Sequence, residues 1–314
     1  MRPAPLSQTC CDQAALWLWP GHALYVGPAL GVGFHSGGVS CLAVGVEGDF
    51  TIEVEHGSRH RSRTALVAAR VRHRIVAGDT PMAFCYLDPA SQRERACRRL
   101  MDGGAELALG HERQAELVRT AASLTGHTPL TEVRRWLDLT GPDGRDGNRD
   151  PRILMATTWL EGPLGRRVAA QDLAAEASLS VSAFLRLFRA ETGTTFRRYR
   201  LWARMLRVAE LLQTWPDLST AAVEAGFASP SHFSSAFHAM FGLRPSTLFS
   251  RHTTINTIGR PADETTRSAV QATPRATTGC DRKATDTDSR PRETRRPPRR
   301  SCAPGSTGRR AGCG

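Results

Sequence analysis

Two stretches of this 314-residue chain are near copies of one another, and that duplication narrows the fold more than any other feature. They are AEASLSVSAFLRLFRAETG, 175–193, and AGFASPSHFSSAFHAMFG, 225–242. Leu173, Ala174, Ala177 and Leu179 match Ala221, Ala222, Ala225 and Phe227 at an offset of 48 residues. After the turn the offset becomes 49, pairing Ser180, Ser182, Phe184, Phe188 and Gly193 with Ser229, Ser231, Phe233, Phe237 and Gly242. The second turn thus holds one extra residue. In the second copy Phe233, Ala236, Phe237 and Met240 fall at i, i+3, i+4 and i+7, the stripe of an amphipathic helix. Ser229 is placed to cap that helix, Pro230 to sit in its first turn, and Gly242 to stop it. Each copy reads as a short helix, a tight turn and a second, amphipathic helix, which is the helix-turn-helix plan.

Between the copies runs TTFRRYRLWARMLRVAELLQT, with Thr195 as N-cap and an apolar stripe through Phe196, Tyr199, Ala203, Leu206, Ala209 and Leu212. A helix over 196–214 would be about 28 Å long. Successive major-groove faces on one side of B-DNA lie about 34 Å apart. A strut of that length predicts that both second helices address one duplex, with modest DNA bending taking up the mismatch. On the first of them Ser182, Leu185, Arg186 and Arg189 lie opposite Phe184, Leu187 and Phe188. Arg186 is the strongest base reader, because a bidentate Arg–guanine pair is the commonest specific contact. The second helix offers Ser231, His232, Ser234, Ser235 and His238 and no arginine, so it is expected to lean on phosphates and shape, with Ser234 and His238 as phosphate contacts. Arg189, Arg197, Arg198 and Arg200 are the other phosphate candidates. For any one arginine a solvated helix face is the competing reading; the repeat favours Arg186.

Charge supports a polyanionic partner. The net charge is +12, and it is graded: residues 1–150 carry 17 basic and 17 acidic side chains, 151–250 carry 11 and 7, and 251–314 carry 14 and 6. A solvated charge run explains the last segment equally well. Eight cysteines, at 10, 11, 41, 85, 97, 280, 302 and 313, form no CxxC pair and no zinc spacing. The start MRPAPLSQTC lacks a signal-peptide pattern, and no apolar run reaches the roughly 18–20 residues of a membrane span. A reduced, cytoplasmic protein without membrane contact is expected.

Upstream, GPALGVGFHS, VSCLAVGV, DFTIEVEHG, TALVAARVRHRIVAG and TPMAFCYLDP are short β-prone runs between Gly, Asp and Pro, as in an antiparallel sandwich or small barrel. RERACRRLMDGG, HERQAELVRTAASL and TEVRRWLDL make 91–140 helical. GPDGRDGNRDP reads as a linker. Beyond about 252 the chain is rich in Thr, Arg, Pro and Gly, and disorder is expected.

The repeat closely resembles the DNA-binding domain of the AraC/XylS family of transcription regulators. The carrying motifs are DLAAEASLSVSAFLRLFRAETGTTFRRY and AAVEAGFASPSHFSSAFHAMFGLRPS, over about 164–250. The resemblance implies promoter binding through both units, with base contacts at Ser182, Leu185 and Arg186, then Pro230, Ser231 and Ser235. It also implies RNA polymerase as a partner. Ser235 departs from the Arg or long polar residue that family members often carry there. Residues 15–90 are similar to the cupin-type sensor domain of many members, through FHSGG, LAVGV and VRHRIVAG…YLDP. That implies an effector-binding barrel, with His35 and His73 as pocket residues, and subunit pairing through 91–140. Ordinary packing of those helices explains them as well.

The expectation is therefore an α+β multidomain chain. A cupin-like antiparallel barrel with trailing helices fills 1–140 and a linker 141–151. An all-α domain of two helix-turn-helix units joined by a long helix fills 152–250, and a disordered basic tail 251–314. Its function is sequence-specific regulation of transcription under a small-molecule effector, not enzymatic. The competing reading is a cupin-type metalloenzyme fused to a DNA-binding module, but metal cupins cluster several histidines and a glutamate, whereas His35 and His73 are far apart in sequence. No metal or cofactor is expected. A methyl-transfer repair protein would need an activated thiolate, and Cys10, Cys11 and Cys41 lack a zinc arrangement.

Overall fold

The β-prone runs become strands wherever branched and aromatic residues face apolar partners on both sides. In a computed structural model, residues 14–55, 57–142, 149–162, 168–215, 217–249 and 252–258 are described. The strands are β1 (Ala14–Trp19), β2 (His22–Gly27), β3 (Ser40–Gly45), β4 (Phe50–Val54), β5 (Arg59–Ser62), β6 (Thr64–Val67), β7 (His73–Val76) and β8 (Met82–Leu87). Then come α1 (Gln92–Arg99), β9 (Asp102–Gly103), β10 (Leu107–Leu109), α2 (Gln114–Ala121) and α3 (Leu130–Thr140). The remainder is helical: α4 (Pro151–Glu161), α5 (Ala170–Glu176), α6 (Val181–Thr192), α7 (Phe196–Leu211), α8 (Leu218–Glu224), α9 (Pro230–Phe241) and α10 (Pro245–Leu248). Among the described residues one more strand, β11 (Thr253–Thr257), follows.

Eight strands form one sheet in the order β11-β1-β2-β8-β3-β6-β10-β9, and β5-β4-β7 form a second. The large sheet is open, with β11 and β9 at its edges, so the closed cupin-like barrel is not what forms. Its two faces do different work. Trp17, Leu24, Leu42, Val44, Leu66, Cys85 and Leu87 point to the face covered by α1–α3, meeting Cys97, Leu117, Val133 and Trp136. The alternate residues, Leu16, Leu18, Tyr25, Cys41, Ala43 and Phe84, share a core with Phe50 and Ile52 of the small sheet and with residues of α7, α8 and α9. Both faces are buried, which is why β1 and β3 read as continuous apolar runs rather than a simple alternation.

The structure departs from the sequence expectations at five places. GPALGVGFHS is not a strand: β2 ends at Gly27, and His35 makes only an isolated bridge to His73. The segment 91–140 is not wholly helical, because β9 and β10 extend the sheet beside β6. The long helix stops at Leu211 rather than 214, so it is about 24 Å long. The linker is not free at its end: Arg149 is buried and ion-paired with Asp88 at 2.8 Å, while 143–148 lie outside the described residues. Finally, β11 sits where the tail was expected to begin, running parallel to β1 from Ala14↔Thr253 to Leu18↔Thr257. TTINT is rich in β-branched residues, and the open edge of β1 supplies the partner such a segment needs. Residues 259–314, the rest of the expected tail, lie outside the described residues.

Candidate nucleic-acid interface

Each duplicated unit is assembled from local signals. In the first, Ser180 caps α6 by accepting from the Ala183 N–H, and Gly193 ends it in the left-handed conformation. In the second, Ser229 accepts from the His232 N–H, Pro230 opens α9 and Gly242 ends it at φ +72°. The turn before α6 places Ser178 at φ +53°, and the equivalent residue before α9 is Gly226 at φ +93°. The two turns use the same left-handed step, filled once by serine and once by glycine.

Behind α6, Phe184 and Phe188 are fully buried with Phe196 and Tyr199; ring centroids of Phe188 and Phe196 lie 5.6 Å apart, edge to face. Ile153, Ala156 and Leu160 of α4 complete this core. Behind α9, Phe227, Phe233, Phe237 and Phe241 form a ladder with successive centroids 5.1, 5.6 and 4.5 Å apart. That ladder is continuous with Trp202, Met205 and the sheet. The Trp202 indole packs on Tyr86 at 5.5 Å and donates to the Gly21 carbonyl at 3.0 Å.

With the phenylalanines turned inward, the opposite faces meet solvent. Ser182, Leu185, Arg186 and Arg189 are exposed on α6, as are Pro230, Ser231, His232, Ser234, Ser235 and His238 on α9. Arg197 is exposed at the start of α7. The other two arginines there are engaged elsewhere, which sequence spacing could not reveal. Arg198, expected at a phosphate, is half-buried: its Nη1 donates to the Ser36 carbonyl and hydroxyl at 3.1 and 2.9 Å and to the Gly37 carbonyl at 3.3 Å. Arg200 is partly buried, donates to the Val168 carbonyl at 3.3 Å, and lies over the Phe196 ring at 5.6 Å.

His35 and His73 come together, though far apart in sequence. Their rings are 4.5 Å apart, and each Nδ1 bonds the carbonyl two residues back, of Gly33 and Val71. Burial lowers both pKa values, His73 to about 4, and each is disfavoured as a cation by charges nearby: Arg72 and His238 for His35, and His35 for His73. The pair does not stand in a barrel interior. It abuts the end of α9, where the Gly33 N–H donates to the Gly242 carbonyl at 2.9 Å and the Ser36 N–H to that of Ala239 at 3.4 Å. A Cβ on Gly242 would meet the Gly33 oxygen at 2.5 Å and His35 Nδ1 at 2.9 Å. A cavity of about 150 Å³ lies where the β1–β2 turn meets α4, α7 and α8, lined in part by Glu161, Arg204, Arg207 and Glu210. Among the described residues no group of three or more His, Cys, Asp or Glu is arranged to hold a metal, and no helix is long and apolar enough to cross a membrane.

Comparison with known proteins converges on the helical half. A helix-turn-helix domain family matches residues 173–251. The transcriptional activator RhaS of Klebsiella pneumoniae is 30% identical over 99 residues, 31% of this chain and 36% of the relative. The uncharacterized HTH-type regulator YidL of Escherichia coli is 30% identical over 154 residues, 48% of this chain and 50% of the relative. The chain thus spans between about a third and a half of the curated relatives it matches. A single-substitution variant of ToxT from Vibrio cholerae, in its apo form, shares the fold at a TM-score of 0.50 and 13% identity, covering 73% of this chain and 97% of ToxT. Residues 173–251 thus carry a helix-turn-helix domain similar to that of named transcriptional regulators.

Proposed function

We propose that the chain binds double-stranded promoter DNA in a sequence-specific manner, with α6 and α9 entering the major groove. Arg186 reads guanine, with Ser182 and Leu185 beside it; Pro230, Ser231 and Ser235 make the base contacts of α9. Arg189, Arg197, Ser234 and His238 hold phosphates, setting register without reading sequence. The observation that carries this reading is the repeated pairing of a serine-capped helix, phenylalanines inward, with a polar face left in solvent.

The N-terminal region, 1–140, takes a small-molecule effector and pairs subunits. An effector held there would act on the second unit through the junction of Gly33, His35 and Gly242. Residues 141–151 link it to the DNA-binding region, 152–250, the basic tail adds nonspecific attraction to DNA, and RNA polymerase is the downstream partner. The experiment is selection of bound duplexes from random DNA, with and without candidate metabolites, followed by footprinting. A defined site about two helical turns long is expected, with affinity that falls steeply as salt rises. Arg186→Ala should relax one base position at a cost of about 1–3 kcal/mol. Recovery of no preferred sequence would overturn the reading.

A further inference from the structure

An arginine of the N-terminal region stands in a backbone conformation that arginine rarely takes. Arg70 is at φ +73°, the third residue of a tight turn that the Val71 N–H closes on the Ala68 carbonyl at 3.3 Å. Glycine or asparagine normally fills such a position, because a Cβ there crowds the neighbouring carbonyl. The turn is fixed from outside. The Gly37 carbonyl accepts from the Arg70 N–H at 3.0 Å and from Arg198 Nη1 at 3.3 Å, so one oxygen ties Arg70 to the first turn of α7. Burial, and after it the charge of Arg70, lower the Arg198 pKa, which places the two guanidinium groups near each other. Arg198 is drawn inward, whereas Arg70 is exposed, as are Arg72 and Arg197.

These cations lie where the two outward faces end. Ser182, Leu185, Arg186 and Arg189 form one stripe on α6, and Ser231, Ser234, Ser235 and His238 form the equivalent stripe on α9, each at i, i+3, i+4 and i+7. Beyond Arg189 the chain turns into α7 at Arg197. Beyond His238 it meets the segment 33–38: the Ser36 N–H donates to the Ala239 carbonyl, and a Cβ on Gly38 would lie 3.1 Å from the Arg198 carbonyl and 3.2 Å from Met240 Cε. The start of the strut and the end of α9 are thus bridged by the loop that holds Arg70. A duplex that takes α6 and α9 in successive major-groove turns offers the backbone between those turns to this junction. Arg72 is ion-paired with Glu55 at 2.5 Å, but the pair is partly exposed, and weak pairs of that kind leave the guanidinium open to a phosphate. Resting on the DNA-binding reading above, we infer that Arg70, with Arg72 beside it, is a phosphate contact that the N-terminal region supplies to the backbone between the two grooves. Such contacts add affinity and salt dependence but read no sequence.

The test uses the full chain and one selected duplex, titrated over salt, with neutral methylphosphonates placed singly along the backbone between the two grooves. The wild-type chain should lose affinity at the linkage that Arg70 holds. Arg70→Gly removes the side chain and relaxes the left-handed backbone, so it should fold. It should bind all duplexes less tightly with base preference unchanged, and lower the salt slope by about one. It should also lose the methylphosphonate effect at that linkage, whereas Arg70→Lys keeps both. Arg72→Ala should act in the same direction and by less, since Glu55 already offsets part of its charge. If Arg70→Gly and Arg70→Ala both leave the slope and the methylphosphonate pattern unchanged, the N-terminal contact is refuted while DNA binding stands. If the wild-type chain selects no duplex, the contact falls with the regulator reading itself.

Discussion

The two helix-turn-helix units are near copies in sequence but not in how they are held. The first has a core of its own, with Ile153, Leu173, Phe184, Phe188 and Tyr199 closing on one another. The second has none: Phe233, Phe237, Met240 and Phe241 belong to the same continuous core as Leu16, Leu18 and Phe84 of the sheet. It is also bonded at the end of α9 to Gly33 and Ser36, and the chain after it returns to the sheet as β11. The first unit meets the sheet region through polar contacts that converge on Asp88, which accepts from Arg149 and from the Tyr199 hydroxyl at 3.2 Å. A duplicated motif has therefore become one unit with a core of its own and one unit built into the N-terminal sheet. The outward faces differ as well, with Ser182, Leu185 and Arg186 on one and Ser231, Ser234 and Ser235 on the other.

The largest effect that tests this contrast comes from emptying each core. Phe188→Ala and Phe237→Ala should each cost about 3–5 kcal/mol, because both rings are fully buried. Hydrogen exchange should then separate them. Phe237→Ala lowers protection in β1, β2 and β8 as well as α9, whereas Phe188→Ala lowers it mainly in α4–α6. Equal loss of protection in β1 for both variants would erase the distinction.

Acid provides the next test. His35 and His73 are held neutral in the fold, with pKa values below the unfolded 6.5, so the unfolded chain binds more protons than the native one as pH falls. The His73 contribution is complete above pH 6.5 and is lost between 6.5 and about 4, at a scale of about 3 kcal/mol, and His35 acts in the same direction. Because the pair abuts Gly242, the second unit should loosen before the first, and a His35→Asn, His73→Asn double variant should flatten the pH dependence seen in thermal melts.

Smaller effects separate neighbouring arginines. Arg198→Ala removes the contacts to Ser36 and Gly37 and should cost about 1–2 kcal/mol of stability. Arg197→Ala should leave stability within about 0.5 kcal/mol, weaken binding to all duplexes alike and reduce the salt slope by about one. The finest comparison lies in the turns. Gly226→Ala should cost about 1–2 kcal/mol at its positive φ, while Ser178→Gly should be neutral or stabilising by less than about 1 kcal/mol, since glycine's added chain entropy offsets the relief.

Local chemistry made the helical half legible in advance. Serine caps, the proline in the first turn of α9, stop glycines and phenylalanine spacing act within a few residues, so α6 and α9 begin and end where those signals stand. The N-terminal half was legible only as strand-rich. TTINT and LAL become β11 and β10 because the edges of β1 and β6 are open to them, and pairing of that kind is a property of the partner as much as of the segment. The candidate face divides in the same way. Exposure of Arg186 follows from helical periodicity alone, but the withdrawal of Arg198 to Ser36 and the meeting of His35 with His73 join residues far apart in the chain.

The sequence by itself determined that two capped, amphipathic helices would each follow a tight turn, and which side chains would lie outward on them. Only the tertiary structure decided that one of the pair shares its core with the sheet and the other does not. The reason is range: caps, turns and a 3.6-residue period are settled by neighbours in the chain, whereas a shared core depends on which apolar faces remain uncovered once every element has formed.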